Sequence, residues 1–118
     1  YNIPMLAEDL IKHAVDAQNN AQAKYSKFYV GCALLSDNDE IFLGCNIESA
    51  AYPSTMCAER VAIYSAIAQG VTKFKAIAII SKLSAKPCGP CRQIIHEYWH
   101  WYFWQTKHGL LDNIWNRQ

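Results

Sequence analysis

The sequence predicts a layered α/β domain built on a mixed β-sheet. Two patterns carry this reading. Segments with apolar residues at helical spacing alternate with short apolar runs of strand length, and helices interleaved with strands pack as layers. The chain has 118 residues, about the size of one domain, so residues 1–118 are read as a single unit. Hydrophobic residues make up 52% and charged residues 18%, a balance that favours a packed core over disorder.

The elements follow in order. Residues 4–21 read as an amphipathic helix. Pro4 suits its first turn, and Leu6, Leu10, Ala14, Ala17 and Ala21 recur at helical spacing. Segments 28–36 and 40–46 read as strands. Asp37-Asn38-Asp39 between them is turn chemistry, which makes a hairpin. Residues 56–69 read as a second helix, with Ser54 or Thr55 as cap and Gly70 as terminator. The apolar run 74–80 reads as a buried strand, and Pro90 opens a third helix through Tyr98. Residues 100–105 read as a further strand and 110–116 as a short final helix.

Charge and cysteine usage exclude several classes of function. The 11 basic and 10 acidic residues are scattered, with no Lys/Arg block to track nucleic acid or anionic lipid. No apolar run approaches the roughly 20 residues that span a bilayer. Glu8, Asp9, Lys12 and Asp16 interrupt any signal-peptide core near the start. The five cysteines, at 32, 45, 57, 88 and 91, are an odd number, whereas secreted disulfide frameworks are usually even. A reduced, cytoplasmic chain is the better fit, and its thiols then serve a metal or catalysis. Cys32 and Cys45 lie inside predicted strands and read as small buried hydrophobes.

The remaining three cysteines form a chemical constellation. Cys57 and the Cys88/Cys91 pair each stand at the start of a predicted helix, where backbone N–H groups and the helix dipole favour a thiolate. Cys88 and Cys91 have the spacing of a Cys-x-x-Cys knuckle, and Cys57 can add a third sulfur. Three ligands leave a tetrahedral zinc with one open position, where a bound water's pKa falls far below its bulk value, toward about 7. Glu59 stands two residues after Cys57. Positions i and i+2 of a helix face nearly opposite ways, so the two share a site only if the metal sits over the helix end. A carboxylate there can take a proton from water and pass it to a substrate nitrogen. Three thiolates outweigh the charge of the zinc, and Arg60 is the cation placed to offset them; Arg92 is a weaker alternative.

Cys57-Ala58-Glu59-Arg60 followed by Pro87-Cys88-Gly89-Pro90-Cys91-Arg92-Gln93 resembles the zinc-deaminase signature. With Tyr25-Ser26-Lys27-Phe28 and Gly44-Cys45-Asn46-Ile47-Glu48, four motifs in family order resemble the small homotetrameric cytidine deaminases over about residues 4–98. The resemblance implies a three-layer α-β-α fold and one zinc per chain on Cys57, Cys88 and Cys91. It makes Glu59 the proton shuttle and Arg60 the partner of the zinc thiolates. The Ala58 N–H takes the pyrimidine carbonyl, Asn46 and Glu48 the ribose hydroxyls, and Phe28 packs on the nucleoside. Tyr52 and Trp115 match aromatic residues near a neighbouring subunit's site. The implied reaction is hydrolysis of cytidine, and of deoxycytidine, to the uracil nucleoside and ammonia in pyrimidine salvage.

The C-terminal part departs from that family. Residues 98–104 are dense in aromatics where an aliphatic strand is usual, and read as core strand plus subunit contact. Gly109 then leads quickly into 110–115, which resembles the family's last helix. Three rival readings accompany the main one. Aromatics at 98–104 could stack the bases of a polynucleotide; the nucleoside could be a cytosine-containing antibiotic; or the zinc could serve folding alone.

Overall fold

The computed structural model describes residues 3–51, 54–81, 102–107 and 110–116, with side chains for 8–51 and 54–81. Helix α1 spans Ile3–Gln18, followed by strands β1 (Gly31–Ser36) and β2 (Ile41–Cys45). Helix α2 (Ala58–Ala68), strand β3 (Phe74–Ser81) and strands β4 (Tyr102–Lys107) and β5 (Leu110–Asn116) complete the order. The strands form one five-stranded sheet in the order β2-β1-β3-β4-β5. Strand β1 runs antiparallel to β2 and β3, β3 runs parallel to β4, and β4 antiparallel to β5, so the sheet is mixed as expected.

Alternation along β1 sends successive side chains to opposite faces. Ala33 and Leu35 pack with Leu10 and Ala14 of α1 and with Ala76, Ala78 and Ile80 of β3. Cys32 and Leu34 pack instead with Ala58, Ala62, Ile63 and Ala66 of α2 and with Ile77 and Ile79. A helix covers each face, which makes the three-layer α-β-α arrangement. Burial on both faces is also why β1 and the end of β3 read as unbroken apolar runs.

Two glycines let the helices approach the sheet closely. A Cβ at Gly31 would overlap the Ala14 carbonyl of α1 and stand 2.7 Å from Gln18 N. A Cβ at Gly44 would overlap the Ala58 carbonyl and stand 2.6 Å from Ala62 N. The second contact seats β2 directly on the first turn of α2.

Several local expectations are corrected. The first helix ends at Gln18, short of residue 21. Residues 28–30 are not strand. The Asn46 side chain takes their backbone groups, donating from Nδ2 to Phe28 O at 2.7 Å and accepting from Val30 N at 2.9 Å; local side-chain bonds of this kind compete with a ladder. Neither Ser54 nor Thr55 caps α2. Its N-cap is Cys57, with no side-chain cap bond, and the Thr55 hydroxyl accepts from Ser49 N at 3.1 Å. Gly70 ends α2 as expected, with φ 87°. Gly70 N bonds Ile67 O at 2.9 Å and Val71 N bonds Ala66 O at 3.0 Å, a Schellman turn.

The largest correction lies at 110–116, which forms strand β5 and not a helix. Leu110 pairs with Lys107 and Trp115 with Phe103. Pairing satisfies the outer backbone edge of β4, which a helix would leave open, and Leu, Ile and Trp side chains suit a strand as well as a helix. The strand expected at 100–105 forms at 102–107. The third helix expected from Pro90 lies outside the described residues, and none of the described helices is long and apolar enough to cross a membrane.

Candidate active site

The site is built on three extended residues that follow β2. Asn46-Ile47-Glu48 is paired along both edges. Gln22 N bonds Asn46 O, and Glu48 N bonds Gln22 O, each at 2.9 Å. On the other edge Ile47 N bonds Met56 O at 3.0 Å and Met56 N bonds Ile47 O at 2.8 Å. Extended backbone turns alternate side chains to one side. Asn46 and Glu48 therefore enter one cavity, and Ile47 is exposed.

Both polar side chains also hold the segment at 25–30. Asn46 bridges Phe28 O and Val30 N, as given above. Glu48 Oε1 accepts from Tyr25 N and from Ser26 N at 3.0 Å each, and its Oε2 accepts from the Ser26 hydroxyl. That hydroxyl, then the Ser26 amide, and more weakly the Tyr25 amide and the Lys27 charge, hold the Glu48 carboxyl below its usual range. Each residue keeps capacity for a ligand. A primary amide has a second hydrogen, and a carboxylate oxygen accepts more than one bond.

The opposite wall is the start of α2. The Met56 bridge delivers the chain to Cys57, whose φ of −73° and ψ of 152° are extended. The first intrahelical bond is Val61 N to Cys57 O at 3.0 Å. Cys57 therefore stands before the helix and Glu59 in its first turn, and both line the same cavity. The opposed-faces problem disappears because only one of the pair is helical. Ala58, the first helical residue, is fully buried and also lines the cavity, where a first-turn N–H has no intrahelical acceptor. Glu59 is only 6% exposed, so little water competes for its protons.

Phe28, Asn46, Glu48, Cys57, Ala58 and Glu59 thus surround one space of about 230 Å³. Among the described residues, Val30, Thr55, Met56, Ile79 and Ser81 also line it. The sequence did not mark these five as site residues, because each reads as an ordinary strand, helix-start or capping position. Strand pairing alone brings Ile79 and Ser81 here, at the end of β3.

The donor chemistry at Cys57 fits a thiolate-bound cation. Its sulfur makes no cap bond, and Arg60 Nη2 donates to it at 3.7 Å, as the charge argument requires. Among the described residues no group of three or more His, Cys, Asp and Glu is placed to hold a metal ion. Cys88 and Cys91 lie outside them, as does Tyr52, and of Trp115 only the backbone is described. Cys32 is fully buried against α2 and does not line the cavity, so it does not stand in as a ligand there. Burial first, and the Glu59 charge second, push its thiol well above the usual range. Cys45, half-buried in β2, is also raised by burial. Cys32, Cys45 and Cys57 are all free of disulfides.

Residues 5–100 match the family described as the cytidine and deoxycytidylate deaminase zinc-binding region. The chain belongs to this deaminase family. A cytidine deaminase of Sporosarcina psychrophila is 46% identical over 96 residues, which cover 80% of this chain and 71% of that one. A cytidine deaminase of Halalkalibacterium halodurans is 43% identical over 90 residues, covering 75% and 68%. The crystal structure of cytidine deaminase from Burkholderia pseudomallei superposes with a TM-score of 0.84 at 37% identity, covering 89% of this chain and 88% of that one. The matched residues, 5–100, include both Cys57-Ala58-Glu59-Arg60 and the Pro87 to Gln93 segment.

Proposed function

We propose that this chain is a zinc-dependent cytidine deaminase, hydrolysing cytidine and deoxycytidine to the uracil nucleoside and ammonia. The observation that carries this reading is the cavity itself. Glu59 and the Ala58 N–H, suited to a base, share it with Asn46 and Glu48, suited to sugar hydroxyls. Its volume is about 230 Å³, a space on the scale of one small ligand.

Cys57, Cys88 and Cys91 are the proposed ligands of one zinc per chain, with Arg60 offsetting their charge. Bound there, zinc supplies the Lewis acidity that makes water nucleophilic near neutral pH. Glu59 moves the protons. It accepts one from the attacking water, delivers it to N3 of the base, and carries the second to the departing amino group. The Ala58 N–H donates to the pyrimidine carbonyl oxygen. Asn46 and Glu48 bond the ribose hydroxyls, and Phe28 packs on the nucleoside. A free base without ribose forgoes the bonds to Asn46 and Glu48 and should therefore react poorly.

The assignment extends to a single deaminase domain, a homotetramer and a cytoplasmic role in pyrimidine salvage, with Tyr52 near a neighbouring subunit's site. These rest on the sequence resemblance. Trp115 is proposed near a neighbouring subunit's site as well, carried by strand β5 and not by the helix the resemblance implied. The deciding experiment measures uridine and ammonia formed from cytidine, with zinc content per chain determined in parallel. Turnover with stoichiometric zinc is expected. Full activity without zinc, or activity confined to single-stranded polynucleotide, would overturn the reading.

A further inference from the structure

We propose that Ser26 is a positioning residue for the ribose end of the site, setting Glu48 and Phe28 together through one hydroxyl. The proposal rests on Glu48 being the ribose acceptor. Ser26 itself is exposed and does not line the cavity, so it acts through its neighbours.

The direction of the contacts is settled by chemistry. Phe28 N donates to Ser26 Oγ at 3.0 Å, since an amide can only donate. The serine's single hydrogen is then left for Glu48 Oε2, which as a carboxylate only accepts. The chain runs one way, from Phe28 N–H through the hydroxyl to Glu48. Bonds so linked polarise one another, and those to a charged acceptor are the stronger kind. Ser26 N adds a second donor to the same carboxylate, and Tyr25 N a third. Of the three donors to Glu48 among the described residues, two belong to Ser26.

The same hydroxyl controls the backbone that carries Phe28. Between Ser26 and Phe28 stands Lys27 with φ 60°, a left-handed conformation uncommon for a residue with a Cβ. Such a residue persists only where its surroundings over-determine it. Lys27 N bonds Ala23 O at 2.9 Å, and Ser26 Oγ ties the far side of the turn. This turn swings Phe28 onto the cavity wall. One hydroxyl therefore couples the aromatic wall to the carboxylate, and both are set before a nucleoside arrives.

The test compares Ser26→Ala and Ser26→Thr, in zinc-loaded protein, on cytidine and on a cytosine nucleoside lacking both ribose hydroxyls. Ser26→Ala should raise KM for cytidine about tenfold, the low end for a charged hydrogen bond, and change kcat less than about threefold. On the nucleoside without hydroxyls its loss should be no more than about threefold. Ser26→Thr keeps the hydroxyl and should stay within about twofold of the parent. If Ser26→Ala does not fold, Ser26→Cys keeps the volume with a weak donor and carries the same expectation. Equal losses on both nucleosides, no loss on either, or a Ser26→Thr protein no better than Ser26→Ala would overturn the proposal. Glu48→Gln separates the underlying reading. If it leaves the parent's discrimination between the two nucleosides intact, the ribose role of Glu48 fails. If it narrows that discrimination and Ser26→Ala does not, the role of Ser26 alone fails.

Discussion

Removing the Asn46 side chain should destabilise the protein even with no nucleoside present. Asn46→Ala deletes the bond from Nδ2 to Phe28 O, 2.7 Å long, and the acceptor of Val30 N at 2.9 Å. Both contacts are partly buried, and no strand partner replaces them, because 28–30 lies outside β1. An unpaired buried group costs about 1–3 kcal/mol. Partial burial places each of these near the low end, so the two together cost roughly 2–3 kcal/mol. Urea unfolding of zinc-loaded protein at fixed protomer concentration reads this directly. Asn46→Asp should lose at least as much. It keeps an acceptor for Val30 N but turns a carboxylate oxygen toward the Phe28 carbonyl. A loss below about 0.5 kcal/mol, less than one ordinary hydrogen bond, would refute the claim that Asn46 holds this segment.

Three further outcomes are expected. Glu59→Gln should lower kcat by about 10²–10⁴-fold, the usual worth of general acid–base catalysis, with zinc content and unfolding midpoint retained; unchanged turnover removes Glu59 from the mechanism. Gly44→Ala should cost at least about 1–3 kcal/mol, because the new methyl meets the backbone of α2, and should lower kcat/KM as the helix start shifts; denaturation and steady-state kinetics together measure it. The Glu48 carboxyl is held below its ordinary 4.5, chiefly by the Ser26 hydroxyl, so it gives up its proton more readily in the folded state. Its stabilisation is present above pH 4.5 and lost as pH falls from there through the lower folded value. The stability gap between the parent and Glu48→Gln should therefore be flat near neutrality and close below pH 4.5; a gap that widens on acidification contradicts the clamp.

Much of the fold was legible because its signals are local. The β1–β2 hairpin follows from Asp37-Asn38-Asp39, and Asp39 takes the left-handed φ of 65° that such turns favour. The Gly70 terminator follows from the need for a positive φ after the last helical turn. Residues 28–30 and 110–116 were misread because their side chains suit more than one state. Val30 continues a strand pattern until a side chain sixteen residues later, Asn46, takes its amide. Leu110, Ile114 and Trp115 fit a helix or a strand, and the open edge of β4 decides between them.

The sequence by itself determined the chemistry on offer: three thiols with metal-binding spacing, a carboxylate beside one of them, and, through the family resemblance, Asn46 and Glu48 two residues apart. These depend on residue type and short-range spacing, which the chain carries whatever its fold. Tertiary structure alone decided which groups meet. It started α2 at Ala58, so that Cys57 and Glu59 face one cavity, and it seated β2 on that turn through Gly44. It also made Ser26 the link between Glu48 and Phe28. The physical reason is that these arrangements depend on contacts between segments distant in sequence, Gly44 with α2 and Glu48 with Ser26, and local periodicity carries no record of which faces will pack.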